Sequence, residues 1–194
     1  DYSGYDKTLP FQVMLGFGDL VNLYYNDSFS KVRTNIMRAI ASGFYIVDNV
    51  IYRLGHGMPS GVPITAVGNS LCNSILFRIA FLVIGRSLNV ENLDALFDDF
   101  DKYVCIRTYG DDHVVRVSEV VSWFNMVNLN SFFKAFNIDY TNTDKSDVNS
   151  EFVDENNLEY LKRSFRVDSG LVRAPLEFDS ITKIVNWIHK NRDD

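Results

Sequence analysis

Two runs of β-branched residues meet across a pair of acids. Lys102 to Thr108 reads as a strand, Tyr109-Gly110-Asp111-Asp112 as a tight turn, and His113-Val114-Val115-Arg116-Val117 as the returning strand. This predicts a hairpin with two carboxylates at its tip. Packing cannot shield both acids there, and like charges held close are costly unless a cation or a proton intervenes. The bland alternative is that Asp111 and Asp112 are ordinary turn residues facing water. Taken alone, the pair favours that alternative.

A second acid pair, Asp1 and Asp6, stands at the front of the chain. Carboxylates from two separate segments suit magnesium, which prefers oxygen ligands and is commonly held by one or two carboxylates plus substrate phosphates. Asp1, Asp111 and Asp112 together would suit a pair of ions roughly 3.5 to 4 Å apart, the spacing used for in-line phosphoryl transfer.

Around these acids the periodicity predicts helices over Phe11 to Tyr25 and Lys31 to Val47, with Gly16-Phe17-Gly18 able to end the first early. A short extended run, Ile51 to Leu54, leads into the loop from Gly55 to Gly61 and a long apolar helix from about Thr65 to Leu88. Beyond the acidic hairpin come a helix over Ser118 to Phe136, a polar loop with Asp144-Lys145-Ser146, a second hairpin from Glu159 to Arg173, and an amphipathic helix over Ser180 to Lys190. Helices mixed with hairpin-connected strands indicate an α+β fold, helices backing a mainly antiparallel sheet.

At 194 residues with 46% hydrophobic content, the chain has the length and composition of one globular domain with at most a small appendage. Its net charge of −6 excludes the basic excess expected of a free-standing nucleic-acid binder, so nucleic-acid contacts must be local or come from sequence outside the chain. Cys72 and Cys105 lie in apolar surroundings without CxxC spacing, which argues against a disulfide scaffold or a zinc site and for a reducing compartment. The longest apolar stretch, Ile79 to Ile84, reads as too short to span a bilayer. The chain starts at Asp1 without Met and reads as a piece of a longer protein.

The long helix carries a polar face. Ser60 and Gly61 precede it, Thr65 and Asn69 share one side at i, i+4, and Ser70 follows. Local capping accounts for any one of these. As a set they can hydrogen-bond a ribose 2′-hydroxyl, the group that distinguishes RNA precursors from DNA precursors.

At this point a resemblance is plain. Asp1-Tyr2-Ser3-Gly4-Tyr5-Asp6 resembles motif A of viral RNA-dependent RNA polymerases, nearest the picornavirus-like group. Gly57-Met58-Pro59-Ser60-Gly61 through Thr65 and Asn69 resembles motif B, and Tyr109-Gly110-Asp111-Asp112 motif C. Thr143-Asp144-Lys145-Ser146 is similar to motif D, and Tyr160 through Arg166 to motif E. Each is weak alone; the ordered set across nearly the whole chain is specific.

The resemblance implies a right-hand polymerase palm over 1–177, with a finger-facing excursion at about 37–54 and the start of the thumb at 178–194. The fingers with motif F and most of the thumb would lie outside the chain. It implies Asp1, Asp111 and Asp112 as ligands of two magnesium ions, with manganese able to substitute, and Lys145 as a general acid for the departing pyrophosphate. Asp6, Ser60, Gly61, Thr65 and Asn69 would recognise the nucleotide and its ribose, and Lys162 and Arg163 the primer backbone. The implied partners are template and primer RNA, ribonucleoside triphosphates and other parts of a viral polyprotein. The implied setting is a membrane-associated replication complex in the host cytoplasm. Two rivals stand beside this reading. A reverse transcriptase usually replaces the second motif A acid with a bulky group and lacks the Ser, Thr and Asn set; the other rival is an inactive polymerase-derived scaffold.

Overall fold

The computed structural model describes residues 1–59 and 61–184. The chain divides into two compact units, Asp1–Glu151 and Phe152–Asp194.

The first unit opens with strand β1 (Tyr2–Ser3) and helices α1 (Tyr5–Thr8), α2 (Phe11–Tyr25) and α3 (Ser30–Ser42). Gly16 and Gly18 do not interrupt α2. The helix expected through Val47 stops at Ser42, and strands β2 (Phe44–Val47) and β3 (Val50–Arg53) form a hairpin instead. The reason is local: Asp48 and Asn49 take positive φ (49° and 65°), which a two-residue hairpin loop requires and Asn and Asp tolerate.

Helix α4 (Thr65–Ser87) is followed by α5 (Leu93–Asp98), α6 (Phe100–Tyr103), and strands β4 (Val104–Tyr109) and β5 (Asp112–Val117). The last two are the predicted acidic hairpin, in register from Val104↔Val117 to Tyr109↔Asp112. Gly110 supplies the positive φ (65°) that so short a loop needs. The predicted helix from Ser118 to Phe136 is two elements. Ser118 caps a 3-10 turn at Glu119–Val121, and Asn125 accepts from the Asn128 N–H (3.0 Å) to start α7 (Met126–Ala135), with Phe124 fully buried between them. Strand β6 (Asp139–Tyr140) then pairs antiparallel with β1, Tyr2 opposite Tyr140.

Helix α4 is the organiser, packing against α2, α5, α7 and β4. It has 23 residues and an 18-residue window of mean hydropathy 1.6, long and apolar enough to cross a membrane by length and composition alone, a test that the core helix of a globular protein also passes. Half of that span is buried within the protein, where Phe77 and Phe81 join Phe124 and Phe133 in the aromatic core.

Every strand pair is antiparallel, as expected. Among the described residues, however, the strands form separate two-stranded ladders and no single sheet. Between the β1–β6 ladder and the β4–β5 hairpin, side chains replace the strand hydrogen bonds. The His113 ring packs on Tyr2 (5.1 Å), Phe77 (4.9 Å) and Tyr140 (5.6 Å, stacked). Cys105 is exposed on β4, against the expectation of apolar surroundings, because alternate residues of β4 face outward; Cys72 is buried.

In the second unit the expected Glu159–Arg173 hairpin is two hairpins. One is β7 (Glu159–Tyr160) with β8 (Arg163–Ser164); the other is β9 (Arg166–Asp168) with β10 (Leu171–Arg173). Helix α8 covers Phe178–Ile184, and the rest of the helix expected to Lys190 lies outside the described residues.

Candidate active site

Asp1 sits at the end of the β1–β6 ladder. Its main-chain nitrogen donates to the Thr141 carbonyl (2.9 Å) and its carbonyl accepts from the Thr141 N–H (3.0 Å). Its carboxylate is engaged on both oxygens. Oδ1 accepts from the Tyr2 N–H (2.6 Å), and Oδ2 lies 2.6 Å from Lys145 Nζ, which also donates to the Tyr2 carbonyl (2.8 Å). Lys145 reaches Asp1 from a tight turn in which it holds a positive φ (65°), closed by the Asn142 N–H donating to the Ser146 carbonyl (3.0 Å).

Both hairpin acids lie within electrostatic reach of the start of β1. Among the described residues no three Asp, Glu, His or Cys side chains are arranged to hold a metal ion by themselves. Magnesium rarely uses such a full protein cage. The donor set fits it in chemistry, being hard carboxylate oxygen, and one of those oxygens already carries a cationic nitrogen. With Lys145 55% exposed, that pair is worth about 0–1 kcal/mol, weak enough for a divalent ion to displace.

The loop carrying Asp111 is fastened to α4. The Gly110 N–H donates to Ser70 Oγ (2.7 Å) and Thr108 Oγ1 donates to the Ser70 carbonyl (3.0 Å). Asn73, fully buried, donates through Nδ2 to the carbonyls of Asp111 (3.0 Å) and Gly110 (3.3 Å), and its Oδ1 accepts from Tyr2 Oη (3.0 Å). On β5, His113 Nδ1 lies 3.0 Å from the Asp111 carbonyl and Nε2 lies 3.2 Å from Tyr140 Oη. A carbonyl can only accept, so Nδ1 carries the proton and Nε2 accepts from the phenol. Burial holds this ring neutral, its pKa pushed down to about 3.

Asp6, on α1, is joined to α4: Asn69 Nδ2 donates to its Oδ1 (2.6 Å). Asn69 is 3% exposed and its own Oδ1 has no partner among the described residues, while Tyr5 Oη donates to the Asn69 carbonyl (3.3 Å). A buried, unmatched amide oxygen is an acceptor waiting for a donor. The loop before α4 is stitched to the same place, Met58 N–H to the Asp6 carbonyl and Gly57 N–H to the Leu9 carbonyl (both 2.8 Å). Gly57 holds φ +91°, and a Cβ there would lie 2.6 Å from the Asp6 carbonyl oxygen.

Of the other expected residues, Thr65 opens α4 and donates Oγ1 to the Val62 carbonyl (2.5 Å), so its hydroxyl hydrogen is used locally and its lone pairs stay open. Gly61 has φ +88° and open space on its Cβ side. Ser60 lies outside the described residues. Lys162 and Arg163 belong to the second unit. Lys162 is in the β7–β8 loop, 3.7 Å from Glu159, and Arg163 donates to the Ala174 carbonyl (2.8 Å). Asn73 and His113 were not among the expected site residues.

The family model described as viral RNA-dependent RNA polymerase matches residues 1–193, and the chain belongs to that family. Its place is the picornavirus-like group. It is similar to the replicase polyprotein of acute bee paralysis virus (32% identity, 100% of this chain and 11% of that one). It is also similar to the RNA1 polyproteins of tomato ringspot virus (31%, 97% and 8%) and broad bean wilt virus 2 (33%, 97% and 10%). The chain thus spans about a tenth of the length of these relatives.

Proposed function

We propose that this chain is the palm segment of a viral RNA-directed RNA polymerase, extending a primer RNA on an RNA template from ribonucleoside triphosphates. The observation that carries the reading is the Asp6–Asn69 hydrogen bond, which spans 63 residues of sequence and leaves a buried amide oxygen without a donor. A ribose hydroxyl offers such a donor; a deoxyribose lacks it. Asp6 occupies the position where a reverse transcriptase usually carries a bulky group.

In this reading Asp1, Asp111 and Asp112 hold divalent ions, magnesium or manganese, and the fingers, thumb and cationic channel come from the rest of the polyprotein. Bound there, such ions supply activation of the primer 3′-hydroxyl and neutralisation of charge on the leaving pyrophosphate. The protein's own residues bind and orient. The Asp6–Asn69 pair reads the sugar, with Thr65 and Ser60 assigned to the same recognition, and Lys145, released from Asp1, carries the proton for the pyrophosphate oxygen, a step worth about 10²- to 10⁴-fold. Lys162 and Arg163 present cations to the primer backbone.

The test is primer extension by the full-length polymerase with ribonucleotides and deoxyribonucleotides, wild type against Asp111→Asn. Extension confined to ribonucleotides and abolished by Asp111→Asn is expected. Near-normal extension by Asp111→Asn sinks the metal assignment, and equal use of both sugars sinks the sugar assignment.

A further inference from the structure

The carbonyl of Asp111 accepts two hydrogen bonds of equal length from opposite partners, Asn73 Nδ2 and His113 Nδ1 (both 3.0 Å). That occupies both of its lone pairs. Each donor is in turn oriented by a tyrosine hydroxyl: Tyr2 Oη donates to Asn73 Oδ1 (3.0 Å) and Tyr140 Oη to His113 Nε2 (3.2 Å). The two tyrosines are register partners across the β1–β6 ladder, so their rings stand on the same face of one strand pair. The result is a bracket with two arms. It starts from adjacent phenols beside Asp1, runs through Asn73 on α4 and His113 on β5, and closes on one peptide of the acidic loop.

We infer that Asn73 and His113, set by Tyr2 and Tyr140, are positioning residues that fix the Asp111 peptide relative to the strand bearing Asp1. The inference rests on the proposed role of Asp111 and deepens it. The bonds to Ser70 hold the loop at Thr108 and Gly110 and do not reach the Asp111 carbonyl, so the bracket is what fixes that peptide. Neither arm touches substrate. What the bracket controls is the relative placement of acids that lie more than a hundred residues apart in sequence, where an error of about 1 Å can cost a hundredfold in rate.

The test uses the full-length polymerase and changes single hydroxyls or single donors. Tyr2→Phe and Tyr140→Phe each remove one orienting bond and keep the ring that packs the core. Each is expected to lower kcat for nucleotide addition about tenfold, and the double variant by about a hundredfold, with KM for nucleotide and the melting temperature little changed. His113→Asn keeps a donor near the position of Nδ1 and is expected to retain most of the activity that His113→Ala loses. Unaltered kcat in both Tyr→Phe variants overturns the inference, as does equal loss in His113→Asn and His113→Ala. So does a loss of activity that tracks a fall in melting temperature. Asp111→Asn run alongside separates the two levels. If it is inactive while the bracket variants are fully active, the bracket fails and the metal assignment stands; if it is active, the metal assignment itself has failed.

Discussion

Lys145 Nζ lies 2.6 Å from Asp1 Oδ2, a contact between residues 144 apart that puts an ammonium where the proposed site needs a metal ion. The two cations compete for one oxygen. Lys145→Met should therefore lower the magnesium concentration for half-maximal extension, by up to about fivefold for an exposed ion pair. The same variant should lower kcat, because the proposed proton donor is gone. A magnesium titration of primer extension reads both effects, and an unchanged or raised requirement would remove the competition.

Asn69→Ala should change sugar choice more than stability. Losing a buried polar partner costs roughly 1–3 kcal/mol, equivalent to about 5- to 150-fold, and only the ribonucleotide makes that contact. The ratio of kcat/KM for ribo- over deoxyribonucleotide should fall within that range. A ratio equal to wild type would make Asn69 a structural residue that holds Asp6 and nothing more.

Gly57→Ala tests how the loop before α4 is held. With φ at +91° and the Asp6 carbonyl oxygen 2.6 Å from the added methyl carbon, the chain must strain or pull away from α1. A destabilisation of about 1–3 kcal/mol is expected, read as a lower Tm, with nucleotide KM raised as Asp6 shifts. Wild-type Tm and KM would show that the loop does not depend on this approach.

Acid stability follows from His113. Its folded pKa, near 3, lies below the ordinary 6.5 because burial disfavours the charged ring. Between those values the unfolded chain binds a proton that the folded chain does not, so stability rises with pH and is lost as pH falls from about 6.5 toward 3. His113→Asn should flatten that slope in unfolding curves taken from pH 7 to 4. An unchanged slope would show that the imidazole is not held neutral by the fold.

The acidic hairpin was legible because its strands are β-branched and its turn is short, and α2 and α4 because their apolar periodicity is long. The β2–β3 hairpin was missed even though Asp48-Asn49 between apolar runs marks a turn; helical spacing through α3 masked it. The two halves of Ser118 to Phe136 were merged because Asn125, a cap, was read as helix interior. At the site, residue types pointed to Asp6 and Asn69, but the sequence does not contain the geometry that joins them. Asn73 left one signal, its position four residues after Asn69 on an otherwise apolar helix. His113 left only its place beside the acids, since a histidine at the start of a strand carries no mark of the phenol and carbonyl that tertiary packing brings to it.

The two-pair ladder between β1 and β6 also sets a timetable for synthesis. Tyr2 leaves the ribosome 138 residues ahead of Tyr140, its partner, an interval of roughly seven to thirty seconds at ordinary elongation rates. Within it α4 and then the acidic hairpin can form as they emerge, since their contacts are local, whereas the start of β1 has nothing to pair with. A nascent chain halted between β5 and β6 would therefore carry every acid of the site, yet lack the strand pair that brings the first of them to the others.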